Sequence, residues 1–355
     1  MARQAKGKAP RTRRVQLQVK DYQHPGENKV KLTALAALWG PFILVGAVFL
    51  WDCINKQFLI KDYGKAVLWQ VPVLIFLYPL LAVWLVNFFS GRTRRNQLKK
   101  LGVRARISRA NRPEIDQMVA NQSKGLSMPR PDAYVMEDEA PWLYSVPGRA
   151  GTVIMSTRAI ADFSEQELAV LLGHEMGHIK TKHVSLDLAM TYLRSANPFV
   201  KLVAFPVAIM SVILSGWRDM IDYTADRCSL LVTGRPGLVT STIVKHAALV
   251  SGGGEEEEEA RARREREEAG TFGIREDEDE AARIVTAISP EDLEAYVAGG
   301  SDLSSDSAQV ERAFKIARFI DARPNLKERI QQLNAYRATE AARAAFAKVK
   351  EIVAG

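Results

Sequence analysis

The chain is 355 residues long, enough for one sizeable domain or two smaller ones together with membrane elements. Its formal net charge of +8 is unevenly spread: residues 1–20 hold seven Lys or Arg and residues 91–112 hold nine, with no acid in either block. Those sixteen charges exceed the net value, so the remainder of the chain is net acidic. A high pI raises the question of nucleic-acid binding, but the placement of the blocks argues against it, and no nucleic-acid partner is expected. Two cysteines, Cys53 and Cys228, exclude a disulfide framework and read as buried, inert thiols.

Residues 1–32 form a basic N-terminal tail. Two uncharged apolar runs follow, about 33–51 and about 66–89, each long enough to cross a hydrocarbon core of about 30 Å as a helix. Trp39, Trp51, Trp69, Tyr78 and Trp84 fall within them, several near the ends, where aromatic rings favour the membrane interface. The loop between the runs is neutral, so the positive-inside rule predicts a transmembrane hairpin over 33–89 with both basic blocks cytoplasmic. The blocks would also touch anionic lipid of the inner leaflet. The polar residues ahead of the first run make it an uncleaved anchor rather than a signal peptide. The expected location is the plasma (inner) membrane, with the main domain and both termini in the cytoplasm.

A soluble part begins after the second block. Pro113 to Ser123 has helical spacing that Gly125, Pro129 and Pro131 break. Strands are predicted around 133–136, 142–146 and 152–156, the last two joined as a hairpin through Pro147-Gly148. Ser164 with Glu167 three residues on is a capping box, flanked by Phe163 and Leu168 at hydrophobic-staple positions, so a helix should run towards Lys182. Another should cover about 217–233, ending on a left-handed Gly234. Residues 252–284 are an acidic low-complexity insert, read as a solvated spacer. Residues 90–251 with 285–355 make up one domain, mainly α with a small β sheet.

Three of the five histidines fall in His174-Glu175-Met176-Gly177-His178-Ile179-Lys180-Thr181-Lys182-His183. Residues four apart share a helix face, so His174 and His178 can offer ring nitrogens to one zinc ion, with Glu175 placed to address a metal-bound water. His183, five positions past His178, falls off that face and reads as structural or as a support to the ligands. A catalytic zinc takes three protein ligands and keeps an open position. Asp222 and Asp226 are also four apart. One of them could bind the metal while the other accepts a hydrogen bond from a ligating imidazole.

These motifs resemble those of the HtpX-like integral-membrane zinc metallopeptidases, of the HExxH gluzincin type and related to the CaaX prenyl-protein proteases. The resemblance runs from Gly125 to Leu333. It rests on Gly125-Leu126-Ser127-Met128-Pro129, the strand and the zinc helix, Ala225-Asp226-Arg227, and Pro324-Asn325-Leu326-Lys327-Glu328-Arg329-Ile330. It implies one Zn2+ per chain, a zincin-like domain, and Asp222 as third ligand where the family has a glutamate. Asp226 is then the acceptor from a ligating imidazole. The family's His-Pro reads Arg323-Pro324 here, and its edge-strand Asn-Ala-Phe is replaced by Trp142-Leu143-Tyr144.

The expected activity is endopeptidase hydrolysis of protein or peptide substrates, membrane or misfolded proteins among them. A zinc-activated water would be the nucleophile and Glu175 the general base. Substrate would add a strand along Leu143, Tyr144 and Ser145, and Arg323 or Arg329 is a candidate oxyanion contact. The alternative is a catalytically weak, membrane-tethered zinc-binding scaffold. One constraint is independent of the resemblance. The apolar stretch 199–214 separates the histidines from Asp222, so a single crossing there would put them on opposite sides of the membrane. It is therefore expected to lie in the interface, re-enter, or pack inside the domain.

Overall fold

The computed structural model describes residues 15–55, 77–86, 106–195, 214–249 and 326–354, with single positions 61, 70, 71, 73, 88, 89, 92 and 207. The acidic insert, Arg323 and most of the stretch 199–214 lie outside the described residues, as do residues 62–69 and most of the second basic block.

Helix α1, Pro25–Asn55, contains the first apolar run. It is long and apolar enough to cross a membrane, with a mean hydropathy of 2.0 over its best window. Ile43, Leu44, Val48, Leu50 and Trp51 are exposed on it, and burial touches only a few positions such as Ala34, Leu38 and Phe42. A helix apolar on all sides and covered on one belongs against lipid. Helix α2, Leu77–Val86, preserves part of the second run. Its Ala82 and Val86 share a cluster with Ala34 of α1, and the Phe42 and Tyr78 rings lie 6.0 Å apart.

In the domain, α3 is Pro113–Gly125. Strands β1 (Asp132–Met136), β2 (Leu143–Val146) and β3 (Thr152–Ser156) form a sheet in the order β1-β3-β2. β3 pairs parallel with β1 and antiparallel with β2, so the expected hairpin is present and β2 lies at an edge of this sheet. Helix α4, Thr157–Asp162, leads into α5, Glu165–Lys180. The Ser164 hydroxyl accepts from the Glu167 amide, and the Glu167 carboxylate accepts from the Ser164 amide, completing the capping box. Phe163 and Leu168 are both buried beside it. Then come α6 (His183–Ser195), α7 (Ser215–Thr233), α8 (residues 236–249), α9 (Leu326–Arg337) and α10 (Glu340–Ala354). Gly234 ends α7 at φ 67°, the left-handed cap its position predicts.

The core lies between α5, α7 and the buried face of β3, with Leu172, Met176, Leu230, Val153, Met155 and Ile330 among its side chains. Helices α5 and α7 approach closely because two glycines allow it. A Cβ on Gly173 would stand 2.8 Å from Val232 Cγ2, and one on Gly177 would stand 2.8 Å from Cys228 Cβ and 3.1 Å from Ala225 Cα. Cys228 is free and buried, its thiol pushed up to about 12 by burial, while Cys53 is free and half-buried on α1.

The described part of the N-terminal tail does not hang free. Leu17 and Tyr22 sit in the core, Arg227 donates to the Tyr22 and Gln23 carbonyls at 3.3 and 3.2 Å, and Asp21 pairs with Lys348 at 2.8 Å. Charge dominates the reading of this segment as sequence and conceals the two apolar anchors within it.

Candidate metal centre

Helix α5 presents its histidines one turn apart, and α7 presents Asp222 and Asp226 one turn apart against them. His174 Nε2 and His178 Nε2 face each other at 3.0 Å, and Asp222 Oδ1 lies 3.5 Å from His178 Nε2. One ligand atom from each of these three residues lies within 4.8 Å of the other two. Tetrahedral zinc bonds of about 2.0–2.1 Å require neighbouring donor atoms about 3.3 Å apart, and the observed spacings bracket that value. Two imidazole nitrogens and a carboxylate oxygen are also the donor types zinc takes, so the residues present fit the ion.

The far side of His174 is held by charge. Its Nδ1 is 2.8 Å from Asp226 Oδ1, and Arg329 of α9 clasps that carboxylate with Nε to Oδ2 at 2.9 Å and Nη2 to Oδ1 at 2.7 Å. Burial works against an ionised Asp226, which is 1% exposed, yet the Arg329 guanidinium and the His174 ring hold its pKa down to about 2. A fixed negative charge at Nδ1 keeps the proton there and turns the lone pair of Nε2 towards Asp222 and His178. His178 is different: burial and the neighbouring His174 and His183 rings keep its pKa well below the ordinary histidine value. It stays neutral, as a metal ligand must.

Glu175 lines the same cavity, of about 360 Å3, with His174, Asp222, Leu143 and Arg329. Burial lifts its pKa above the usual carboxylate value, against the opposing pull of the His174 ring and of hydrogen bonds from the Ser145 side chain and backbone. β2 borders the site: Leu143 lines the cavity, and Tyr144 packs on the Trp142 ring at 4.9 Å. Arg329 reaches the cavity wall but its guanidinium is committed to Asp226.

Sequence reasoning reads His183 as structural or as a support to the ligands and misses two contributors, Glu27 and His246. His183, 1% exposed, sets its Nδ1 3.3 Å from His178 Nδ1, and its Nε2 meets Glu27 Oε1 at 2.9 Å. His246 of α8 lines the cavity, and its Nε2 is buried with no hydrogen-bond partner among the described residues. Burial lowers its pKa to about 4, so it is neutral at physiological pH. Neither Glu27 nor His246 belongs to a spacing motif, and their positions follow only from tertiary packing.

A helix-borne His-Glu-x-x-His faced by carboxylates from a second helix defines a zincin-type metal centre. The chain belongs to peptidase family M48, whose model matches residues 109–337. It is 28% identical over 189 residues to a protease HtpX homolog of Tropheryma whipplei (strain Twist), covering 44% of this chain and 63% of that protein. It is 26% identical over 153 residues to the plastoglobule-localized metallopeptidase 48, chloroplastic, of Arabidopsis thaliana, covering 42% and 44%. A protease HtpX homolog of Thermodesulfovibrio yellowstonii matches at 26% over 101 residues, covering 28% and 36%. The chain thus spans less than two thirds of these relatives. No solved structure matches it.

Proposed function

We propose that the chain is a membrane-anchored zinc endopeptidase, with His174, His178 and Asp222 as ligands and Glu175 as general base. The convergence of two Nε2 atoms and one carboxylate oxygen beside Glu175 carries this reading. Zinc, when bound, supplies Lewis acidity at the scissile carbonyl and lowers the pKa of water towards 7. The Glu175 carboxylate would take a proton from a water held in the cavity and return it to the leaving amine. Its raised pKa suits a group that must both accept and return a proton. Asp226 and Arg329 keep His174 oriented throughout.

Substrate lies extended along the open side of β2, where main-chain pairing needs little side-chain identity. His246 Nε2 offers a further hydrogen bond inside the cavity. Such tolerance suits membrane or misfolded proteins as substrates. The apolar runs 33–51 and 66–89 form a transmembrane hairpin, with the domain and both termini cytoplasmic and the basic blocks at anionic lipid. The test is Glu175→Gln in the full chain: zinc content stays at one per chain while cleavage of an unfolded protein falls by about 10²–10⁴-fold. Unchanged cleavage would sink the hydrolytic reading, and unchanged biological activity without cleavage would favour a zinc-binding scaffold.

A further inference from the structure

We propose that Glu27, in the first turn of the membrane helix, is a positioning residue for the metal site and acts on His178 through His183. The inference rests on the metal-site reading above. It concerns a contact that crosses 156 residues of sequence.

The Glu27 carboxylate is fully buried, at 0% exposure. A buried carboxylate is costly unless donors surround it, and three do. Lys31 pairs with Oε1, His183 Nε2 lies 2.9 Å from Oε1, and Thr224 Oγ1 donates to Oε2 at 3.1 Å. Lys31 and Thr224 would satisfy the charge as a structural pair. His183 does more, because its other nitrogen lies 3.3 Å from His178 Nδ1.

The order of donors along this chain is fixed from both ends. Metal ligation needs the lone pair of His178 Nε2 on the cavity side, which leaves that ring's proton on Nδ1. His183 Nδ1 is the atom in place to accept it, so the His183 proton sits on Nε2, where the Glu27 carboxylate accepts it. Each of the two ligating rings therefore ends on a buried carboxylate. His174 reaches Asp226 directly, and His178 reaches Glu27 through one intervening imidazole. Asp226 is clamped by a helix of the domain, whereas Glu27 belongs to the helix that enters the bilayer. The membrane anchor is by this account part of the metal site and not merely a tether.

The test uses the full chain in detergent and zinc affinity measured by competition with a chromogenic chelator. Carboxylates that orient metal-bound histidines are worth about 10–100-fold in affinity, and Glu27→Gln should weaken zinc by that factor with circular dichroism unchanged. Glu27→Asp, which keeps the charge but withdraws it by one methylene, should also bind zinc more weakly than the wild type. It serves if the glutamine variant fails to fold. Asp21→Asn loosens the same N-terminal segment at Lys348, away from the relay, and should leave zinc affinity within twofold. Equal affinity for wild type and a folded Glu27 variant, in a chain where His174→Ala abolishes zinc, would overturn the relay and leave the metal site standing. Absence of stoichiometric zinc on the wild type would overturn both.

Discussion

The proposed third donor shows how far a single side chain decides this site. Asp222 carries one methylene fewer than the glutamate its position suggests, yet its Oδ1 comes to 3.5 Å from His178 Nε2. Gly173 and Gly177 let α7 pack close against α5. Asp222→Asn should cut zinc affinity by at least the roughly tenfold that losing a group supporting a ligand costs, read by the same chelator competition. His246→Ala makes a different prediction. With no ligand touched, zinc content should hold while KM for an unfolded substrate rises several-fold, and steady-state kinetics on the variant checks it. What was legible in the sequence at this scale is the set of groups whose spacing is itself the signal. His174 and His178 share a helix face whatever surrounds them, with Glu175 next along the turn, and Asp222 and Asp226 share one likewise. Glu27 and His246 carry no such spacing, and His183 falls off the face. Its use depends on a turn after Lys180 that starts a new helix at His183 itself and points the ring back at His178.

At the scale of elements, two helices do the work, and small residues set their separation. Gly177 lies in the turn between His174 and His178, and its missing side chain lets α7 bring both aspartates within reach of the rings. Gly177→Ala inserts a methyl group where Cys228 and Ala225 already stand. It should destabilise the domain by about 1–3 kcal/mol and lower zinc content even in the folded fraction. The cap of α5 gives a pH-dependent test. Burial raises the Glu167 pKa, but the Ser164 amide and the Lys245 ammonium outweigh it, leaving the carboxyl below its ordinary value. A carboxylate with a lowered folded pKa contributes its stability above the unfolded value of about 4.3. That contribution is lost as pH falls through the folded value. Glu167→Gln should lower Tm at pH 7, and the gap should close as the pH drops below about 4. The strands and α5 were legible because alternation, a turn pair and a capping box are local. The sheet order β1-β3-β2, with β1 parallel to β3, was not, since nothing local sets which edge a strand joins.

For the whole molecule, the consequential feature is the fit between the anchor and the domain. Residues 15–24 wrap onto the α5, α7, α9 and α10 layer, and α1 leaves from beside the metal centre with its apolar face bare. This geometry puts the cavity near the N-terminal end of α1. The sequence constraint on the stretch 199–214 has its premise met, because the histidines and Asp222 do meet. The path of that stretch itself lies outside the described residues. The central claim is that two imidazoles and one carboxylate hold a single zinc ion. Zinc K-edge X-ray absorption on the full chain in detergent tests it most directly. The account predicts two histidine rings and light oxygen scatterers at about 2.0–2.2 Å, with one oxygen altered in Asp222→Asn. A spectrum needing fewer than two imidazoles, or one untouched by that substitution, would contradict it.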